Sequence, residues 1–187
     1  MYLITFDYGQ RHNIEIDYAK ILSKELKVHH EIIDISSIGP LLQSSALINK
    51  SFNVPEGSYN SDNMALTVVP NRNAIMLTIS YAAAVSVNAK YAGTAIHTSD
   101  NHVLYSDCTH EFVEVFDRME RVATRGLQPY DLQLWAPFIN QTKSDIAKIG
   151  IKLGIDYTRT RSCYNRNEFH CGLCATCIER KQSFKRE

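Results

Sequence analysis

Tyr2-Leu-Ile-Thr-Phe6, Ile14-Glu-Ile-Asp-Tyr-Ala-Lys-Ile-Leu-Ser-Lys-Glu-Leu26 and Val28-His-His-Glu-Ile-Ile-Asp34 follow one another at the start of the chain. The first and third are short runs of apolar and β-branched residues that end at charged or turn-forming ones, as strands do. Between them, Ile14, Ile16, Tyr18, Ala19, Ile21, Leu22 and Leu26 recur mostly at helical spacing, with Glu15, Asp17, Lys20, Lys24 and Glu25 interleaved, so the pattern predicts an amphipathic helix. Strand, helix and strand make a β-α-β unit, whose crossover sets the two strands parallel. That unit decides the class: an α/β fold with a mostly parallel sheet flanked by helices.

Residues 35–67 are rich in Ser, Asn, Gly and Pro and carry at most a short helix around Ile38–Leu47. They read as an excursion of the kind that often forms a lid. A helix over Ala74–Val87 is apolar on every face and is expected to be buried. Then come a strand at Lys90–Ala95, an amphipathic helix at His110–Val122, a strand at Gln133–Ala136 ending before Pro137, and a helix at Thr142–Leu153 with Thr142 as N-cap. No repeat or low-complexity tract interrupts this order, so residues 1–187 are expected to form one domain, closed by a cysteine element at about 160–180.

The chain has 187 residues, 44% of them hydrophobic and 21% charged, enough for one sizeable core. Lys plus Arg and Asp plus Glu both number 20, so overall charge gives no attraction to nucleic acid or to an acidic membrane. The longest apolar runs, such as Ala74–Val87, are too short and too polar to span a bilayer. Residues 1–6 carry no basic side chain and a charge follows at Asp7, which predicts no signal peptide. With Cys108 unpaired and the other thiols clustered, the cytoplasm is the expected compartment.

Four of the five cysteines, Cys163, Cys171, Cys174 and Cys177, lie in one block whose last three form a C-x2-C-x2-C run. Cys163 is far enough upstream for the loop between to fold back and complete a tetrahedral thiolate set, and Gly172 permits a tight turn beside a ligand. Structural Zn²⁺ is the expectation. Disulfides fit poorly because the total is odd and closely spaced cysteines bridge only under strain. An iron–sulfur cluster is the closer rival, but the C-x3-C-P continuation is missing after Cys177. Arg161, Arg166 and Arg180 are placed to offset the excess negative charge of four thiolates.

In α/β folds, ligands bind beyond the C-terminal ends of the strands. The polar clusters Asp7–His12, Val68–Asn73, His97–Cys108 and Pro137–Lys143 are all expected there, with His12, His97, His102 and His110 in or beside these loops. Lys143, just inside a helix capped by Thr142, would set an ammonium among free backbone N–H groups, a place suited to phosphate. Arg72 offers a planar fork for phosphate or carboxylate, or else a plain salt bridge. Asp107 and Glu111, four apart, could share a helix face and hold Mg²⁺ or orient an amine, or simply cap and solvate the helix. Neither G-x-S-x-G, G-x-G-x-x-G nor G-x-x-x-x-G-K-[ST] occurs.

Phe6-Asp-Tyr-Gly-Gln-Arg-His12, Val69-Pro-Asn-Arg-Asn73, Tyr105-Ser-Asp-Cys-Thr-His-Glu-Phe112 and the cysteine block resemble, in order and across nearly the whole chain, the motifs of the 7-cyano-7-deazaguanine synthase family. The resemblance implies an adenylating ligase of the PP-loop ATP pyrophosphatase superfamily, with an adenine-nucleotide α-hydrolase-like fold and a homodimeric assembly. Such enzymes convert 7-carboxy-7-deazaguanine, ATP and ammonia first to an amide and then to the nitrile. By resemblance, Asp7, Tyr8, Gly9, Gln10, Arg11, His12 and Asn73 would serve the nucleotide, with Mg²⁺. Arg72 and Lys143 would meet phosphate or carboxylate, and Asp107 would stand in a segment facing the deazaguanine.

The family opens with a strand and a Ser-Gly-Gly-x-Asp-Ser loop that cradles pyrophosphate; no such loop occurs here, and the first strand corresponds to the family's second. Three explanations stay open: a start at an internal Met1 of a longer protein, which the buried character of the first strand favours; a split enzyme; or a non-catalytic, zinc-stabilised paralogue that binds a ligand or partner. Another PP-loop ligase or a tRNA-modifying sulfur transferase is the nearest enzyme alternative.

Overall fold

The computed structural model describes residues 1–98, 105–127, 131–165 and 169–185; His102 and Arg166, singled out above, lie outside them. In chain order the elements are β1 (Tyr2–Asp7), α1 (Ile14–Glu25), β2 (His29–Asp34), α2 (Ser61–Thr67), α3 (Arg72–Ser86), β3 (Tyr91–Gly93), α4 (His110–Ala123), β4 (Gln133–Trp135), α5 (Lys143–Lys152) and α6 (Ala175–Ser183). The chain divides into two compact units, Met1–Pro70 with Ala147–Glu187, and Asn71–Ile146. Among the described residues no helix is long and apolar enough to cross a membrane.

In the first unit β1 and β2 pair in parallel from Tyr2 opposite His29 to Asp7 opposite Asp34, with α1 as the crossover. The excursion packs into this unit. Leu42, Ala46, Leu47, Ile48 and Met64 are buried, and Ser45 is fully enclosed with its hydroxyl accepting from the Leu47 N–H. The expected helix at Ile38–Leu47 is instead a 3-10 turn over Ser36–Leu41 that contains Pro40, a residue without the N–H that a longer α-helix needs. α2 was not foreseen; a reciprocal cap starts it, Asn60 accepting from the Asn63 N–H and Asn63 from the Asn60 N–H, each at 2.9 Å.

In the second unit β3 and β4 also pair in parallel, from Tyr91 opposite Gln133 to Gly93 opposite Trp135. The core there gathers Leu77, Tyr81 and Ala84 of α3, Phe116 of α4, and Ala92, Ile96 and Leu132 around the strands. α3 is buried along that stripe, not all round: Thr78 and Ala82 are exposed. It starts at Arg72, two residues before the first apolar position, because Asn71 takes the left-handed conformation (φ 57°) and turns the chain directly into the helix. The fold is thus α/β, with parallel strands and helices, and the described strands form one parallel pair in each unit.

Candidate metal centre and ligand-binding loops

The sulfurs of Cys163, Cys171, Cys174 and Cys177 all lie within 4.8 Å of one another. A metal held by four thiolates at about 2.3 Å has sulfur–sulfur edges of about 3.8 Å, and Cys171 Sγ stands 3.9 Å from Cys177 Sγ. The residues therefore fit a closed tetrahedral metal site. Backbone N–H groups point at the sulfurs, from Cys171 to Cys163 and from Cys174 to Cys171, both at 3.4 Å. Gly172 turns the chain between ligands at φ 76°, as the sequence suggested, and α6 starts at Ala175 and so carries Cys177 on its first turn.

Burial pushes the Cys163 and Cys177 thiols up. At Cys171 burial also raises the thiol, but N–H groups of Cys174 and Leu173 and the neighbouring thiols outweigh it and bring it down to about 6. With Cys171 lowered and Cys163 and Cys177 raised, a cation that favours the thiolate form would draw these ligands together. Arg161 spans the ligand loop, donating to the carbonyls of Asn165 and Phe169 at 3.2 and 3.4 Å. Arg180 donates to Tyr157 O, Thr160 Oγ1 and Ser162 Oγ, and its charge interacts with Cys177.

The element is sewn to the excursion. Glu56 bridges Cys174 in antiparallel fashion, and the Gly57 N–H donates to Leu173 O at 2.9 Å. Val54 and Tyr164 pack against the sulfurs.

Of the segment following β1, Tyr8, Gln10 and His12 are buried. The Gln10 amide accepts from the Tyr8 N–H at 2.8 Å and donates to Phe6 O and to Glu15 Oε1, both at 3.1 Å, so it is committed to shaping the turn. Arg11 clamps the excursion: its N–H donates to Leu47 O, and its guanidinium to Asn49 O and Phe52 O at 3.1 and 2.7 Å. His12 Nε2 lies 3.4 Å from Glu15 Oε2. Asp7 accepts from the Gly9 N–H and lines a cavity of about 480 Å³ with Asn13, Ile14, Ile16, Asp17, Lys20 and Ile32, a size suited to a small molecule. By periodicity Glu15 belongs to the polar face of α1, and its place in the first helical turn, close to Gln10 and His12, is the sequence signal for this contact.

In the second unit Arg72, Asn73, Asp107 and Cys108 come together. The Arg72 guanidinium donates to Asn73 Oδ1 at 3.3 Å, and the Asn73 amide donates to Asp107 O at 3.3 Å and to Cys108 Sγ at 3.5 Å. Asp107 and Glu111 do not share a helix face, because Thr109 is extended (φ −97°, ψ 161°) between the 3-10 turn at Ser106–Cys108 and α4, whose start it caps through the Phe112 N–H. Burial, with the Asp107 carboxylate, pushes the Cys108 thiol up to about 11 against the pull of Arg72. Lys143 opens α5, half-buried, beside the expected cap: Thr142 Oγ1 accepts from the Asp145 N–H, and Asp145 Oδ2 accepts from the Thr142 N–H and hydroxyl.

The model of the family described as "Queuosine biosynthesis protein QueC" matches residues 1–187. The 7-cyano-7-deazaguanine synthase 2 of Colwellia psychrerythraea is 43% identical over 185 residues, 99% of this chain and 82% of its own length. The 7-cyano-7-deazaguanine synthase 1 of Mesorhizobium japonicum (43%) and the 7-cyano-7-deazaguanine synthase of Brucella anthropi (44%) each align over 182 residues, 97% of this chain and 77% of theirs. Similarity of this level and extent, with the four motifs in order, means that the chain belongs to the QueC family of queuosine biosynthesis proteins.

Proposed function

We propose that the protein is a 7-cyano-7-deazaguanine synthase, using ATP and ammonia to turn 7-carboxy-7-deazaguanine into the nitrile. The observation that carries this reading is whole-chain similarity, at 43–44% identity, to relatives that bear that name. The carboxylate attacks ATP to give an acyl-adenylate and pyrophosphate, and ammonia displaces AMP to leave the amide. A second ATP adenylates the amide oxygen with release of pyrophosphate, and loss of AMP and of both N–H protons gives the nitrile. Such chemistry needs positioning and charge neutralisation, not a protein nucleophile.

Arg72 and Lys143 meet the carboxylate and phosphates, and Asp107 orients the amine or the base. Asn73 and the Asp7–His12 segment, Asp7 at its cavity, serve the nucleotide with Mg²⁺. The fold is that of the PP-loop ATP pyrophosphatases, in one α/β domain extended by a zinc element; the parallel strand pairs and the family match support it. Zn²⁺ at Cys163, Cys171, Cys174 and Cys177 is structural, since four thiolates leave no open position; it supplies a clamp and no reaction chemistry. A cytoplasmic homodimer acting on small molecules, without nucleic acid, is supported by the family resemblance and by the balanced charge.

Protein made from its full reading frame, incubated with Mg-ATP, ammonium and 7-carboxy-7-deazaguanine, should yield amide and then nitrile by mass. Arg72→Ala and Lys143→Ala should each lower kcat/KM by roughly 100-fold or more, the usual loss when one group stabilising developing charge is removed. Absence of both products overturns the assignment.

A further inference from the structure

Tyr164 follows the ligand Cys163 directly, packs against the sulfur cluster and also reaches the loop after β1. Its ring centroid lies 5.8 Å from that of His12 at an interplanar angle of 53°. Its hydroxyl meets the Tyr59 hydroxyl at 2.8 Å, next to the Asn60 cap of α2. From His12 the contacts continue to Glu15 at 3.4 Å, from Glu15 to the Gln10 amide at 3.1 Å, and from that amide to the Tyr8 N–H at 2.8 Å. A second route runs from the same sulfur cluster through Leu173–Gly57 and Cys174–Glu56 into the excursion, whose other end Arg11 holds at Leu47, Asn49 and Phe52.

We infer that Tyr164 is a positioning residue: its ring, fixed by closure of the four-cysteine site, holds His12 and so sets the conformation of Tyr8–His12 for binding the nucleotide. This rests on the proposed reading of that loop as the nucleotide side. The ring carries the coupling, because it packs beside the His12 ring while the hydroxyl meets that of Tyr59.

The test compares wild type, Tyr164→Phe and Tyr164→Leu in the full protein, each checked for four-thiolate metal by elemental analysis. Hydrogen exchange is read at the amides of Tyr8, Gly9 and Arg11, which donate to Gln10, Asp7 and Leu47. Tyr164→Leu should keep its metal yet speed exchange there roughly three- to tenfold, the range that loss of one aromatic pair gives. The Leu134 amide, bonded to Asp117 in the other unit, should not change. Tyr164→Phe should restore wild-type exchange. KM for ATP should rise by a similar factor in Tyr164→Leu with kcat within about twofold, since uniform binding alone is lost.

Unchanged exchange at these amides in a metal-replete Tyr164→Leu protein overturns the inference whatever the turnover. Faster exchange with no ATP-dependent turnover in wild type upholds the coupling and refutes the assigned reaction. Equal loss at Leu134 indicates general destabilisation and also overturns it.

Discussion

Asp117 joins three elements of the second unit through one oxygen. Its Oδ1 accepts from the Tyr81 hydroxyl of α3 at 2.5 Å and from the Leu134 N–H of β4 at 2.6 Å, while Oδ2 lies 3.8 Å from Arg121. Tyr81 is fully buried, and the Asp117 side chain is 23% exposed. A hydrogen bond to a charged group contributes about 1.5–3 kcal/mol, and a buried donor left without a partner costs about 1–3 kcal/mol. Partial exposure lets water replace some of this, so Asp117→Ala should destabilise by about 3–4 kcal/mol and Tyr81→Phe by about 1.5–2 kcal/mol. Together the two should fall short of their sum by about 1–2 kcal/mol, because each removes the same bond.

Urea unfolding at constant slope, monitored by far-UV circular dichroism, measures all three variants. Additivity within about 0.3–0.5 kcal/mol would show that the two groups do not interact. An independent check comes from pH. Burial, then the hydrogen bond and charge of Asp117, raise the Tyr81 hydroxyl well above its ordinary value of 10.0. A raised folded value means that stability is fully present below the unfolded pKa and is lost as pH climbs through and beyond about 10. Wild type should therefore lose stability above that pH, and Tyr81→Phe should lose less.

Gly150→Ala should destabilise by about 1–3 kcal/mol despite a gain of about 1 kcal/mol in helix propensity. A Cβ there would lie 2.0 Å from the Tyr157 hydroxyl, which donates to Ala147 O at 3.1 Å; Tyr157→Phe should recover part of the loss, and a Gly150→Ala variant as stable as wild type would refute the clash. Cys174→Ser should lower metal content and melting temperature together, while Cys108→Ser leaves the metal unchanged; stoichiometric iron, or metal lost with Cys108, would count against the zinc assignment.

The β-α-β start was legible almost residue by residue, because strand and helix periods there are clean and the partners are near in sequence. α5 was legible for a local reason too, Thr142 being a capping residue whose reciprocal partner, Asp145, stands three positions on. The packing of the excursion was not legible because its apolar residues follow no period. Leu47 is held by the Arg11 N–H, and Ala46 by its own N–H donating to Leu66 O, pairings that composition does not reveal. Asp107 and Glu111 misled in the opposite way: their spacing suited a helix, but Thr109 starts α4 between them. The cysteines gave their cluster outright, since spacing alone constrains four ligands. What they left hidden was Tyr164, a spacer by sequence and a bridge by contact.

Cys108 bears on which PP-loop chemistry the protein performs. It is the one thiol outside the four-cysteine cluster, so with that cluster closed on the proposed metal a sulfur relay through this chain would have to use it. Relay needs the thiolate, yet burial and Asp107 raise this thiol to about 11. At pH 7 the thiolate fraction is then on the order of one in ten thousand, against a few per cent for an ordinary cysteine. The Asn73 amide, which donates to the sulfur, also donates to Asp107 O and accepts from Arg72. Cys108 thus helps fix the geometry of Arg72, Asn73 and Asp107, and an inert thiol among groups suited to carboxylate and phosphate fits an adenylating ligase better than a sulfur transferase.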